Sequence, residues 1–138
     1  MSVGLVVDSS VAASWCLLDE ADPAADAILA RVRDVGAHAP LLWTWEIANV
    51  LSVSVRRGRM SAADAAANLA DLALLPITYD AEGPERAWRE TFLLAQNHKL
   101  TVYDAAYLEL ARRHGLDLAT RDEELRAAAT AIGVKVLP

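Results

Sequence analysis

The chain has 138 residues, 54% of them hydrophobic and 23% charged, with a formal net charge of −6. That length sustains one domain with a sizeable core and leaves no room for two, and the composition excludes disordered and low-complexity classes. The negative balance argues against a broad basic face for nucleic acid, but not against a nuclease whose carboxylates hold cations.

No apolar run spans a bilayer without a charge or a turn, so no membrane partner is expected. MSVGLVVDSS has no basic start and is interrupted by an aspartate; it reads as a first strand and not as a secretion signal. The single cysteine, Cys16, excludes an internal disulfide framework, and among Trp15, Leu17 and Leu18 it reads as a structural thiol. A cytoplasmic setting is the expectation.

In chain order, Leu5 to Val7 is a short apolar run that suits a strand buried on both faces, and it ends in Asp8. Ser9 and Ser10 offer caps for a helix from Val11 to Leu18. Asp22-Pro23 starts a second helix that Gly36 ends. Ala37 to Ala39 reads as a minimal strand, followed by a long helix, LLWTWEIANVLSVSVRRG. Ser61 with Asp64 is a capping-box start for an alanine-rich helix to about Leu74. Ile77 to Tyr79 is a third strand, and Pro84 opens a helix running through Trp88 and Leu93 to about Asn97. Thr101 caps a helix carrying Asp104, Tyr107, Leu108 and Ala111, which stops at His114-Gly115. Leu116 to Ala119 is a buried strand; Thr120 follows, Asp122 opens the next helix, and Val134 to Leu137 is the last strand. Short apolar strands alternating with helices predict one α/β domain over residues 1–138, with a parallel sheet covered on both faces.

Four carboxylates stand out. Asp8, Asp104 and Asp122 lie at or near strand carboxyl ends, where open α/β sheets bind ligands. Glu46 shares a helical stripe with Trp43, Val50 and Val53, where an isolated carboxylate is costly unless paired, protonated or bound to metal. Asn49, one turn on, is placed to orient it. Each acid also has a purely structural reading: a helix cap for Asp8, a capping-box member for Asp104, a first-turn acid for Asp122, and an arginine salt bridge for Glu46. Thr120 with Glu123 forms another capping box, which leaves Asp122 free. Together the acids make a hard-oxygen site suited to Mg²⁺ or Mn²⁺; phosphodiester hydrolysis is the natural reaction class of such a site, with phosphomonoester chemistry the less well supported one. His38, His98 and His114 are scattered. A haloacid-type phosphatase would want an aspartate two residues after Asp8, and a receiver domain an acidic neighbour beside it; both are absent. Arginine supplies 11 of the 13 basic residues. Arg56, Arg57 and Arg59 cluster at one helix end and Arg112 and Arg113 at another; the bland reading is solvated, dipole-favourable helix ends, and for a phosphodiester substrate Arg56, Arg57, Arg112 and Arg113 are the candidates for contacting its backbone.

The stretches VVDSSVAASW, APLLWTWEIANVLSVSVRRGRM, LTVYDAAYLELARRHGLDLATRDEEL and AAATAIGVKVLP resemble the PIN-domain family, and within it the VapC ribonuclease toxins of toxin–antitoxin pairs. The resemblance implies a three-layer α/β/α fold with a five-stranded parallel sheet and a Mg²⁺- or Mn²⁺-dependent endoribonuclease acting on single-stranded RNA. It implies Asp8, Glu46, Asp104 and Asp122 as the metal-binding catalytic acids, with Ser9, Asn49 and Thr120 in support. A homodimer and a cognate VapB-type antitoxin are the implied partners. A catalytically weak PIN-like binding or assembly module is the alternative.

Overall fold

The structure is a computed structural model that describes residues 4–138. The first three residues of the amino-terminal strand-like stretch fall outside it. Five parallel strands form one sheet in the order β3-β2-β1-β4-β5: β1 (Leu5–Val7), β2 (Ala37–Pro40), β3 (Ile77–Asp80), β4 (Asp117–Ala119) and β5 (Val136–Leu137). β1 lies at the centre, wholly buried, with Leu5, Val6 and Val7 opposite Asp117, Leu118 and Ala119. Burying each of these β1 side chains contributes about 1.5–3 kcal/mol. The order runs outward from β1 through β2 to β3, and in the other direction through β4 to β5. The carboxyl ends of β1 and β4 therefore flank the point where the winding reverses, which opens a crevice there.

The helices are α1 (Ser9–Cys16), α2 (Pro23–Val35), α3 (Leu42–Arg56), α4 (Ala62–Ala73), α5 (Gly83–Arg86), α6 (Phe92–His98), α7 (Val102–His114) and α8 (Glu123–Ala131). A 3₁₀ turn, Leu18–Glu20, follows α1. Starts are fixed by side-chain caps where the sequence offers them. Asp22 accepts from Ala24 N at 3.0 Å ahead of Pro23, Ser61 accepts from Asp64 N at 3.0 Å, and Thr101 accepts from Asp104 N at 3.0 Å. Gly36 ends α2 at φ +80°, and a Cβ there would sit 2.9 Å from the Pro76 carbonyl, so β2 can only begin after a glycine.

The elements differ from the sequence expectations in four places. α1 starts at Ser9 because Asp8 is its cap, accepting from Val11 N at 3.1 Å, so Ser9 and Ser10 are not the caps. α3 buries Trp43, Ile47, Leu51 and Ser54, a stripe rotated from Trp43–Val50–Val53, which puts Glu46 on the flank of the core. α8 is capped by Asp122, which accepts from Leu125 N at 3.0 Å, so Thr120 and Glu123 form no capping box. The helix begun near Pro84 contains a π turn, Ala87–Thr91, between α5 and α6. It buries Thr91 and leaves Trp88 92% exposed.

Candidate active site

Asp8 leaves β1 and is 4% exposed. Its two oxygens are held by different neighbours: Oδ1 accepts from Ser10 Oγ at 2.7 Å and from Val11 N, and Oδ2 accepts from the Thr120 hydroxyl. Thr120 is fully buried at the end of β4, and its oxygen also accepts from Asp122 N at 3.0 Å. One threonine thus ties the acid after β1 to the acid after β4. β-pairing delivers this arrangement, since Asp8 N donates to Ala119 O at 3.0 Å.

Asp104 enters from the first turn of α7, half-buried, and Glu46 from α3. The hydroxyl of Tyr107, one turn after Asp104 and 1% exposed, donates to Glu46 Oε1, and the Ser9 hydroxyl joins the same pair. Asn49 is exposed, and it is Tyr107 that holds Glu46. The acids feel one another. Burial pushes Asp104 up, and Asp122 and Asp8 raise it further. Burial pushes Asp8 up against the hydroxyls that lower it, with Asp122 adding to the rise. Burial likewise raises Glu46, with Asp104 contributing. The hydrogen-bond partners of these acids are hydroxyls and backbone amides, which orient a carboxylate without neutralising it. A deficit of positive charge remains, and the donors are hard oxygens; that chemistry fits Mg²⁺ or Mn²⁺.

The arginines divide. Arg113 is taken by Asp80 at 2.5 Å, Glu109 at 2.8 Å and Glu82 at 3.1 Å, so it is spent inside the fold and does not offer itself to a backbone phosphate. Arg56, Arg57 and Arg112 are exposed; Arg56 donates to Ser52 at 2.9 Å. Asp80, Glu82 and His114 bring ligand atoms within 4.8 Å of one another, closer than any three of the four acids. Arg113 already bonds all three, and its guanidinium supplies the charge that a cation would. His38 lies in β2, and its ring stacks on His114 with centroids 6.3 Å apart, so these two histidines are not scattered. Cys16 is half-buried and donates weakly to Ala12 O at 3.7 Å. The sequence reading takes Ser10 as a helix cap and Tyr107 as an ordinary core residue of the α7 stripe, and misses both as partners of the acids.

Four acids gathered at the reversal point of a five-stranded parallel sheet, inside an α/β/α sandwich, define a class. Residues 5–131 match the family model described as the PIN domain, and the chain belongs to the PIN-domain family. Its relatives narrow the likeness further. It is 31% identical over 121 residues to Ribonuclease VapC3 of Pyrobaculum aerophilum, covering 88% of this chain and 91% of that protein. It is 32% identical over 134 residues to Ribonuclease VapC3 of Mycobacterium tuberculosis, covering 94% and 92%. Among solved structures it is similar to PAE2754 of P. aerophilum, with TM-score 0.71 and 25% identity over 97% of this chain and 83% of that one. It also shares the fold of VapC20 of M. tuberculosis, a toxin that cleaves the sarcin–ricin loop, with TM-score 0.64 and 20% identity over 98% and 100%.

Proposed function

We propose that this chain, as one PIN domain over residues 1–138, is a Mg²⁺- or Mn²⁺-dependent endoribonuclease of the VapC type, acting on single-stranded RNA as the toxin of a toxin–antitoxin pair. The observation that carries the reading is the meeting of Asp8, Glu46, Asp104 and Asp122 with hydroxyl partners and, among the described residues, no neutralising arginine, three of them pushed up by burial and by one another. The relatives named as ribonucleases, matched over nearly their whole length, support the same reaction.

When bound, the cation supplies Lewis acidity toward a phosphate and lowers the pKa of a water. The chain's residues do the rest. Thr120 bridges Asp8 to the Asp122 amide, and Tyr107 of α7, one turn after Asp104, holds Glu46 of α3. Ser9, Ser10 and Tyr107 fix carboxylate orientation, while Asn49, one turn after Glu46, is exposed. A carboxylate of this set assists deprotonation of the attacking water. A VapB-type antitoxin as silencing partner and a cytoplasmic setting belong to the same reading. Among the described residues no helix is long and apolar enough to cross a membrane. A homodimer is supported by exposed Trp45, Phe92 and Tyr103, and by an apolar cleft of about 270 Å³ that includes Leu42, Val102, Tyr103 and Ala106 and none of the four acids.

The test is cleavage of total cellular RNA by wild type, Asp8→Asn and Asp104→Asn, each with Mg²⁺, Mn²⁺ or EDTA. Discrete fragments are expected from wild type with metal only. The variants, which keep the planar shape of the carboxylate and lose its charge, should lose more than about 100-fold in rate, the upper end of what an outer-shell partner costs. Full activity of purified Asp104→Asn would sink the assignment.

A further inference from the structure

If the site cuts RNA, a chain of net charge −6 must hold the substrate's phosphates locally. Beside the amino end of α1 lies a cleft of about 420 Å³ whose walls include Ser9, Ser10, Glu20, Val50, Arg59 and Arg121. Arg121 stands between Thr120 and Asp122. Its amide donates to Ser10 Oγ at 3.0 Å, and Ser10 in turn donates to Asp8 at 2.7 Å, so its backbone is fixed two hydrogen bonds from the first acid. Its guanidinium is exposed and loosely held, 3.2 Å from the Glu20 carbonyl and 3.9 Å from Glu20 Oε1. Arg59 arrives from the turn after α3, with Nη2 at 2.8 Å from Asp19 Oδ2 and 3.1 Å from Glu20 Oε2. Both arginines therefore end on the same 3₁₀ turn.

Exposed ion pairs of this kind are weak and salt-screened. A phosphate presents several charge-assisted acceptors to a guanidinium fork, so it is the stronger partner. We propose that Arg59 and Arg121 hold backbone phosphates of single-stranded RNA at the α1 side of the acids, and that Asp19 and Glu20 are a built-in competitor that RNA displaces. This rests on the ribonuclease reading and deepens it: with Arg113 spent, Arg59 and Arg121 add to the exposed candidates Arg56, Arg57 and Arg112 a pair placed beside the acids.

The experiment follows a fluorescein-labelled oligouridylate by anisotropy in EDTA and by cleavage with Mn²⁺, each over a salt series. It uses wild type, Arg59→Ala/Arg121→Ala, Asp19→Asn/Glu20→Gln, and Arg89→Ala as an exposed-arginine control. Each lost contact to a single strand removes about 0.7 from the slope of log affinity against log salt. The arginine double variant should lose about 1.4 in slope and bind about 25-fold more weakly at 0.1 M salt. KM should rise while kcat is kept, as befits uniform binding. The acid double variant should bind more tightly than wild type, and Arg89→Ala should match wild type. A purely structural tether would loosen the turn in both double variants and leave the slope alone; an unchanged slope, or no gain from the acid variant, overturns the proposal. Wild type that binds RNA and cuts nothing with metal defeats the ribonuclease reading while the slopes still decide this one. Wild type that neither binds nor cuts defeats both.

Discussion

Tyr107 is almost fully buried, and its hydroxyl is committed to a carboxylate that reaches in from another helix. Burial and the Glu46 hydrogen bond push its phenol far above the ordinary tyrosine range, so it stays a donor at every working pH. Removing that donor in Tyr107→Phe keeps the ring and its packing. We expect about 1 kcal/mol of lost stability and, because Glu46 is no longer oriented, about tenfold weaker Mn²⁺ binding by calorimetry. Unaltered Mn²⁺ affinity would sever Tyr107 from the site. The four acids stand out in the sequence as candidates because strand ends and helical stripes are local patterns. Tyr107 does not, because its partner lies 61 residues away and no short-range spacing joins them. Thr120 was legible as a strand-end hydroxyl; its double role between Asp8 and Asp122 needed the β1–β4 register.

At the scale of elements, α7 does two unrelated jobs with its two ends. Its first turn presents Asp104 to the site, while its last turn sets Arg113 among Asp80, Glu82 and Glu109 and so ties the helix to the end of β3. Asp80 is driven up by burial and, more strongly, down by Arg113 and the Glu82 amide, and it rests below the ordinary aspartate range. Replacing Arg113 by methionine leaves two nearly buried carboxylates without their counter-charge. The expected cost is about 3 kcal/mol, read as a fall in Tm of roughly 10 °C, with the salt dependence of RNA binding unmoved. A variant as stable as wild type would show that the cluster holds nothing. The sequence displayed half of this, since Glu109 and Arg113 stand at helical i,i+4 spacing. Asp80, 33 residues earlier, is brought in only by the fold. Likewise α3 looked amphipathic from the outset, but the packing of Ile47 and Leu51 chose a stripe one position away from the expected one.

For the whole molecule, the two groups of titrating residues pull stability in opposite directions. Asp8, Glu46 and Asp104 are raised in the folded state, so the fold retains protons that the unfolded chain would release. Their ionisation costs stability as pH climbs from the ordinary carboxylate range through their raised values. His38 is lowered by burial and by His114, so the unfolded chain takes up that proton first, and stability falls as pH drops below about 6.5. A cation on the acids should offset the first effect. At about 100 times its Kd, Mn²⁺ is expected to add about 2.7 kcal/mol. The gain should be greatest at neutral pH and should shrink as the carboxylates protonate. Thermal melts of wild type at two pH values, with Mn²⁺ and with EDTA, check this. A gain of equal size at both, or one retained by Asp8→Asn, would place the metal elsewhere.

The π turn at Ala87–Thr91 decides which face Trp88 shows. At ordinary α spacing Trp88 would stand three residues before Thr91 and seven before Ala95, on the stripe that faces inward. The wider π turn carries one surplus residue, and Trp88 is swung out into solvent. The chain is one residue longer here than an unbroken helix needs. That surplus sets a large aromatic on the outer surface and leaves Thr91 and Ala95 facing inward, so the outer face of this helix is decided by backbone winding and not by the residue type at position 88.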